Sequence, residues 1–369
     1  MWRCWQCGEM GRIEASLPDE CPDCGASKEE LYYWIEDRDG GRPPRGSGAR
    51  PFGSVPTRAP VDPARTAPAR RVGLATRTLT CARRIIRGMP TLTLDDATLW
   101  YEATGEGRPL VFVHGAWSDA DAWRPQVEAF VDDYRVITVD VRGHGRSGGT
   151  DRNRYSVGLF TDDLERLLDH LGIGDGERPI LCGLSLGGMI VQTYLDRHPD
   201  GAAAAILAGP VRSMLPIDLP AWLKRTASPL PALTASLTTM GSEATFRSLL
   251  GSIRTANGEP WLAADPSVRS QAISTAGEIS TSEFRKVFAA LYRFEAPDLS
   301  GLGTPLLVVY GDQEAPSVRR QGESIAAAVE NGRTAGIPDA GHLVNLDNPE
   351  AFNATCREFL AETNAIVEA

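Results

Sequence analysis

A serine flanked by glycines follows a short apolar run near the middle of the chain. The pentapeptide GLSLG at 183–187 comes directly after Ile180–Cys182 and shortly before a second apolar stretch that begins at Met189. Glycines lack a Cβ, so a strand-to-helix turn here can be tight enough to hold the hydroxyl of Ser185 outward. The N-terminus of the following helix would favour a developing oxyanion. This spacing predicts a nucleophile; the alternative is a glycine-rich turn that serves packing alone.

A serine hydroxyl is a poor nucleophile unless a nearby base accepts its proton. Of the five histidines, His342 is the best candidate, because it follows the last predicted strand, 333–337, and precedes the final helix. His170 and His198 lie near predicted helix ends, where a solvated or capping role is expected. His114 directly follows a strand, where its ring is expected to shape the loop. We therefore expect His342 to be the general base.

The third member of such a site is a carboxylate that orients the histidine and stabilises its cation. The sequence GDQE at 311–314 follows a predicted strand and offers two carboxylates. Its place in the turn favours Glu314, with Asp312 as the alternative. The chain order of serine, acid and histidine is then the one typical of enzymes with a G-x-S-x-G turn, which is called a nucleophile elbow. The backbone N–H groups of Leu186 and Ala116 are the expected oxyanion donors.

The elements that would position these residues alternate from residue 91 onward. Short apolar strands that alternate with helices predict a mostly parallel α/β sheet, in which chemistry sits at the carboxyl ends of the strands. A region of helical character, 211–298, interrupts the alternation and is expected to lie over the sheet. The predicted strands are 91–94, 98–102, 110–113, 135–139, 180–182, 203–208, 306–310 and 333–337, and the predicted helices are 123–131, 157–171, 189–197, 317–330 and 349–360.

Four sequence blocks in residues 91–369 resemble the α/β-hydrolase fold family: VFVHGAW (111–117), VDVRGHGRSG (139–148), GLSLGGM (183–189) and AGHLVNLDNPEAF (340–352). The resemblance covers about three quarters of the chain. It implies a helical cap at about 211–298 above the active site. Because the elbow residue is serine rather than aspartate, the chain is closer to carboxylesterases, 3-oxoadipate enol-lactonase-like enzymes and cofactor-free haloperoxidase-like esterases. Glu314 departs from the commoner aspartate at the acid position.

The resemblance implies a serine hydrolase that acts on a small-molecule carboxylic ester or lactone through an acyl-enzyme, with no cofactor required for hydrolysis. Trp117, Met189 and residues of the cap are then expected to line the acyl pocket. Two alternatives stay open for this domain. It could be a haloperoxidase-like perhydrolase, or it could have lost catalysis and only bind a ligand.

The N-terminus carries a second group of residues able to do chemistry. Cys4 and Cys7 form one CxxC pair, and Cys21 and Cys24 form another. Paired CxxC knuckles of this kind bring four thiolates around one metal ion, and a glycine follows each pair. Cys182 and Cys356 are instead expected to be small buried residues.

The sequences WRCWQCGEMG and LPDECPDCGASKEEL resemble the rubredoxin-like domain found at the end of rubrerythrins. That resemblance covers about 35 residues and implies iron, with zinc as the alternative, since both accept four thiolates. The fold class expected for the chain is therefore an α/β-hydrolase sheet with a helical cap plus a small rubredoxin-like metal-binding module at 1–40. Such a module would be either structural or a redox centre coupled to the hydrolase, in which case it needs a redox partner.

Composition limits the other function classes. Residues 41–90 contain 11 arginines, one acidic residue and many prolines and glycines, which predicts a disordered linker. The net charge of −10 argues against nucleic acid as the main partner. With no apolar stretch long enough for a membrane span and no signal-peptide pattern, we expect a cytoplasmic protein with no membrane contact.

The colour of the purified protein checks the cysteine site. Iron in a four-thiolate site gives a red preparation that bleaches on reduction, whereas zinc gives a colourless one. We expect one iron or zinc ion per chain by metal analysis. A chain that contains neither metal would contradict the site.

Overall fold

The computed structural model describes residues 90–174, 176–214, 228–251 and 261–367, with side chains through residue 363, and the backbone of 2–4, 10–11 and 31–33. The chain divides into two units, Met1–Thr78 and Leu79–Ala369. None of the helices in the described ranges combines the length and the apolar character that a membrane crossing requires.

The first unit contains a small antiparallel sheet of three strands, β1 (Trp2–Cys4), β2 (Met10–Gly11) and β3 (Leu31–Tyr33), in the order β2-β1-β3. The backbone of Cys4 ends β1 and pairs with that of Leu31. The other three cysteines of the predicted metal site lie outside the described residues, as does the predicted linker up to residue 89. The four-cysteine site therefore stays a prediction.

The second unit is built on a sheet of eight strands in the order β11-β10-β9-β8-β6-β7-β5-β4. Strands β4 and β5 are antiparallel to their neighbours, and the others are parallel. The mostly parallel α/β sheet is thus confirmed. The strands are β4 (Thr91–Thr93), β5 (Thr98–Thr104), β6 (Pro109–Val113), β7 (Arg135–Val139), β8 (Ile180–Leu184), β9 (Ala204–Ala208), β10 (Leu306–Gly311) and β11 (Gly332–Ile337).

Helices cover both faces of the sheet, which explains why its central strands are continuous apolar runs. Every residue of β6, β8, β9 and β10 is buried. The helices outside the insertion are α1 (Arg124–Phe130), α2 (Val157–His170), α3 (Leu186–Arg197), α7 (Pro316–Ala328), α8 (Val344–Asp347) and α9 (Pro349–Val367). Each predicted helix is present, although α3 begins three residues earlier than the sequence indicated.

The strand order reverses direction around β6. The chain passes from β6 to β7 on one side, and then from β7 across to β8 on the other side of β6. Right-handed crossovers in opposite directions put α1 on one face and α2 with α3 on the other. A crevice forms at such a switch point, outside the carboxyl ends of the strands. Here it lies between the ends of β6 and β8.

The predicted insertion is helical, as expected. Between β9 and β10 the structure describes α4 (Leu230–Gly251), α5 (Pro266–Glu278) and α6 (Thr281–Arg293), and α4 packs against both of the others. A kink at Gly241, where φ is +78°, divides α4 into two parts. We refer to these three helices and the segment 261–265 before α5 as the cap.

Candidate active site

Ser185 occupies a strained turn between β8 and α3. Its φ of +53° and ψ of −107° lie outside the regions that L-residues with a side chain favour. Its N–H donates to the carbonyl of Ala208 at the end of β9, at 2.9 Å, and its own carbonyl accepts from Met189 at 3.0 Å. The serine is half-buried. A strained backbone held by hydrogen bonds on both sides is typical of functional positions.

The two glycines of the pentapeptide are required by close packing. A Cβ on Gly183 would lie 2.3 Å from the carbonyl carbon of Gly187, and a Cβ on Gly187 would lie 2.0 Å from the carbonyl oxygen of Val113. Any side chain at either position would therefore overlap with backbone that cannot move aside. The packing therefore agrees with the reason that the sequence suggested for these glycines, which is a tight strand-to-helix turn.

His342 and Glu314 form a buried pair that joins the loop after β11 to the turn after β10. The Nδ1 of His342 lies 2.7 Å from Oε2 of Glu314, and Oε1 of the same carboxylate accepts from the N–H of Ala315 at 2.8 Å. Asp312, the alternative acid, accepts instead from the N–H of Ala340 at 3.2 Å. The geometry thus pairs the histidine with Glu314, and Asp312 holds the loop.

Gly209 links this pair to the serine turn. It follows Ala208, whose carbonyl accepts from the N–H of Ser185. A Cβ on Gly209 would lie 2.8 Å from Nδ1 of His342 and 3.2 Å from Oε2 of Glu314. The histidine ring therefore lies directly beside the end of β9. No hydrogen bond joins Oγ of Ser185 to the ring in this structure, although both residues are described; such bonds often form only in the substrate complex.

The loop after β6, which carries the predicted oxyanion donor Ala116, lies against the serine turn. In the register of β6 and β8, Val113 is the partner of Gly183. A Cβ on Gly115 would lie 3.5 Å from Cβ of Ser185. Leu186 is the first residue of α3, where N–H groups lack partners within the helix. Neither its N–H nor that of Ala116 donates to an acceptor among the described residues.

Two other histidines support the loops rather than face the serine. The Nε2 of His114 accepts from the N–H of Val141 at 2.9 Å, and its Nδ1 donates to the carbonyl of Gly115 at 2.7 Å. The His144 ring lies 5.2 Å from the His114 ring, and its Nδ1 donates to the carbonyl of Arg142 at 3.1 Å. Burial, together with the neighbouring His114, lowers the pKa of His144 to about 3. Both rings are therefore held as neutral structural groups.

Trp117, in the loop after β6, and Met189, on α3, are the two residues predicted to line an acyl pocket. Trp117 has a φ of +58° and stacks on Phe284 of α6 with ring centroids 4.4 Å apart. Met189 is buried one turn into α3. Their role as pocket residues stays a prediction.

A cavity of about 290 Å³ opens between the β7–α2 loop and the cap. Its lining includes Gly143, Gly149, Ser280 and Glu283, and none of the three proposed catalytic residues contributes to it. The carboxylate of Glu283 is bound by the hydroxyl of Tyr155 and, at 2.7 Å, by Nζ of Lys286. The lining also includes Ser118 and Asp119, which follow Trp117 in the loop after β6.

Sequence reasoning missed three residues that shape the site. Gly209 directly follows the predicted strand 203–208, and the space that it leaves for the His342 ring is visible only in three dimensions. Trp261, whose ring centroid lies 4.6 Å from that of His342, comes from the cap and has no local signal. Asp347 lies five residues after His342, within the block AGHLVNLDNPEAF (340–352). A carboxylate so close in sequence to the histidine was the one local signal for a role near it.

A family model described as "Alpha/beta hydrolase family" matches residues 110–355. The chain belongs to the alpha/beta hydrolase family. A second model, a domain of unknown function (DUF7130), matches residues 1–37. It assigns no metal or activity to the N-terminal part of this hydrolase.

Similar proteins include a lactonase, a chloroperoxidase and an esterase. 3-Oxoadipate enol-lactonase 2 of Acinetobacter baylyi is 26% identical over 266 residues, which cover 71% of this chain and 93% of that protein. A non-heme chloroperoxidase of Kitasatospora aureofaciens is 40% identical over 110 residues, 30% of this chain and 38% of that protein. The solved structure of a thermophilic esterase from Thermogutta terrifontis is 25% identical, with a TM-score of 0.61 over 72% of this chain and 94% of that one. Together with the family, they support a hydrolase.

The elbow glycines give a prediction about stability. Gly187→Ala introduces a Cβ 2.0 Å from a backbone oxygen, so we expect the free energy of unfolding to fall by at least about 1–3 kcal/mol. Urea unfolding of the purified variant measures the change. Gly303→Ala is the matched control, because a Cβ there meets no atom within 4 Å. Equal stability of the two variants would show that the turn tolerates a side chain.

The buried His144 gives a prediction about pH. Its pKa falls from 6.5 in the unfolded chain to about 3 in the folded protein. Below about pH 6.5 the unfolded state therefore binds a proton that the native state does not, and stability falls as the pH is lowered. We expect His144→Asn to be less stable at neutral pH but to lose less further stability between about pH 7 and pH 5. Urea midpoints across this range provide the measurement, and parallel curves for the two proteins would contradict it.

Proposed function

We propose that the hydrolase cleaves a small-molecule carboxylic ester or lactone through a triad of Ser185, His342 and Glu314 and an acyl-enzyme intermediate. The observation that carries the proposal is the convergence of three strand ends. The strained serine turn after β8 is tied to β9 through Ala208, and the histidine–carboxylate pair lies beside the next residue, Gly209.

The first step is attack of Oγ of Ser185 on the substrate carbonyl while Nε2 of His342 accepts the hydroxyl proton. The carboxylate of Glu314, 2.7 Å from Nδ1, holds the tautomer that leaves Nε2 free and stabilises the imidazolium. Because Glu314 is also fixed by the N–H of Ala315, the ring has a defined orientation before substrate arrives.

The oxyanion of the tetrahedral intermediate would be bound by the N–H groups of Leu186 and Ala116. The first belongs to the initial turn of α3, where the helix dipole adds partial positive charge. The imidazolium then gives its proton to the leaving alcohol, and the acyl group stays on Ser185. Water, deprotonated by the same histidine, releases the acid and restores the serine.

Hydrolysis of a p-nitrophenyl ester series with increasing acyl length, together with a lactone, tests the proposal. We expect Ser185→Ala to lower kcat/KM by about 10³-fold or more without loss of folded protein, since it removes the nucleophile. The matched control is Ser270→Ala, an exposed serine on cap helix α5, which should keep wild-type activity. Equal activity of Ser185→Ala and the wild type would rule out Ser185 as the nucleophile.

Perhydrolysis is a second candidate, favoured by the 40% identity to a non-heme chloroperoxidase. Hydrogen peroxide would take the place of water and attack the acyl-enzyme, so that Ser185 leaves as a free hydroxyl and the acyl group leaves as a peracid. The same variants, assayed with hydrogen peroxide present, decide between the two reactions. Peracid that forms with the wild type but not with Ser185→Ala supports perhydrolysis. If the wild type forms no peracid, perhydrolysis is excluded and hydrolysis is the proposal that stands.

A further inference from the structure

The loop that carries His342 comprises residues 338–343 between β11 and α8, and we call it the histidine loop. This loop is bound to the cap. The N–H of His342 donates to the carbonyl of Trp261 at 2.9 Å, and the N–H of Leu343 donates to the carbonyl of Leu262 at 2.8 Å. Both acceptors belong to the cap segment 261–265. The backbone on which the base is mounted therefore takes its position from the cap as well as from β11.

The two segments approach closely enough to require glycine. A Cβ on Gly341 would lie 2.6 Å from the carbonyl oxygen of Trp261 and 3.1 Å from Cα of Ala263. The ring of Trp261 also contacts that of His342, with centroids 4.6 Å apart and an angle of 58° between the ring planes. A small displacement of the cap segment would therefore be transmitted directly to the histidine.

One carboxylate binds both segments. Oδ2 of Asp347 accepts from the N–H of Gly341 at 2.7 Å and from the N–H of Ala264 at 2.8 Å, and Oδ1 accepts from the N–H of Asp265 at 3.1 Å. Asp347 ends the short helix α8, five residues after the histidine. Among the described residues, no other side chain accepts from N–H groups of both the histidine loop and the cap segment.

These hydrogen bonds lie where water has limited access. Asp347 is half-buried, and burial raises the pKa of its carboxyl even though its three N–H partners act in the opposite direction. Charge-assisted hydrogen bonds of this kind are about twice as strong as neutral ones. The carboxylate is thus well placed to determine the distance between the loop and the cap segment.

We propose that Asp347 is a positioning residue, which fixes the proposed base His342 by binding the histidine loop and cap segment 261–265 at once. This inference rests on the proposed function, because it takes His342 to be the base. The hydrogen bonds of Asp347 to the two segments do not depend on that function. A carboxylate that only stabilised the fold would affect unfolding without selectively affecting the catalytic step. A positioning residue affects the step in which His342 moves a proton, because a shift of about 1 Å in a catalytic group can cost about 100-fold in rate.

Asp347→Asn and Asp347→Ala are the informative variants. Asparagine keeps the shape but replaces one oxygen by an NH₂ group, so it must lose the bond from Asp265 or those from Gly341 and Ala264. Alanine loses all three. The matched control is Asp339→Asn. Asp339 is an exposed residue of the same loop with a φ of +54°, which asparagine tolerates, and its carboxylate has no hydrogen-bond partner in the described part of the chain.

Two measurements on the full-length variants test the inference. Hydrogen–deuterium exchange should accelerate in peptides that cover 261–265 and 340–347, and not in peptides from β8. In ester hydrolysis, kcat should fall by about 10- to 100-fold in Asp347→Asn, with KM changed by no more than about twofold. Asp347→Ala should show the larger effect in both measurements, and Asp339→Asn should match the wild type.

The outcomes separate this inference from the proposed function. Unchanged exchange in both Asp347 variants would overturn the inference, and so would faster exchange with an unchanged kcat. If the wild type hydrolyses none of the esters while local exchange still accelerates, the role of Asp347 in holding the loop stands and the proposed function fails. If Asp347→Ala does not fold, Asp347→Asn alone decides.

Discussion

The close approach of α3 to β6 and β8 is the constraint on which the rest of the site depends. Gly187 lies so near the carbonyl of Val113 that only a hydrogen fits between them. Next to this contact the chain turns sharply at Ser185, whose φ is +53°. Strain of this kind costs about 1–3 kcal/mol. Burial of Met189, Ile190 and neighbouring apolar residues of α3 on the sheet offsets that cost.

The parallel sheet brings Glu314 and His342 to the same edge as Ser185. Strands β8, β9, β10 and β11 are neighbours and run in the same direction, so their carboxyl ends meet along one edge. The proposed acid, Glu314, comes from the turn after β10, and the proposed base, His342, comes from the loop after β11. The longer reach of a glutamate suits this arrangement, because Asp312, nearer the strand, already binds the backbone of the histidine loop.

Much of the fold and site could be predicted from the sequence because the relevant signals are local. Apolar runs, glycine turns and the spacing of the serine, acid and histidine each lie within a few residues of the feature that they predict. The predicted helix begins at Met189, whereas α3 begins at Leu186 and includes two glycines. Glycines weaken a helix, and packing on the sheet overrides that propensity here. The clearance at Gly209 and the contacts of Trp261 join segments far apart in sequence, so no local pattern shows them. The cysteine site at the N-terminus remains a prediction of the sequence alone.

The contacts of the cap place two requirements on the same piece of chain. The sequence predicts that residues of the cap line the acyl pocket, and in the structure segment 261–265 also accepts the N–H groups of His342 and Leu343. A displacement of this segment would therefore also displace His342, the proposed base. Helices α4 and α6 contact the loop after β6 instead, since Phe246 and Phe284 pack against Trp117. Neither ring belongs to the segment that Asp347 binds, so a substitution of Phe246 or Phe284 would change the surroundings of Trp117 without removing a hydrogen bond from the loop that carries His342.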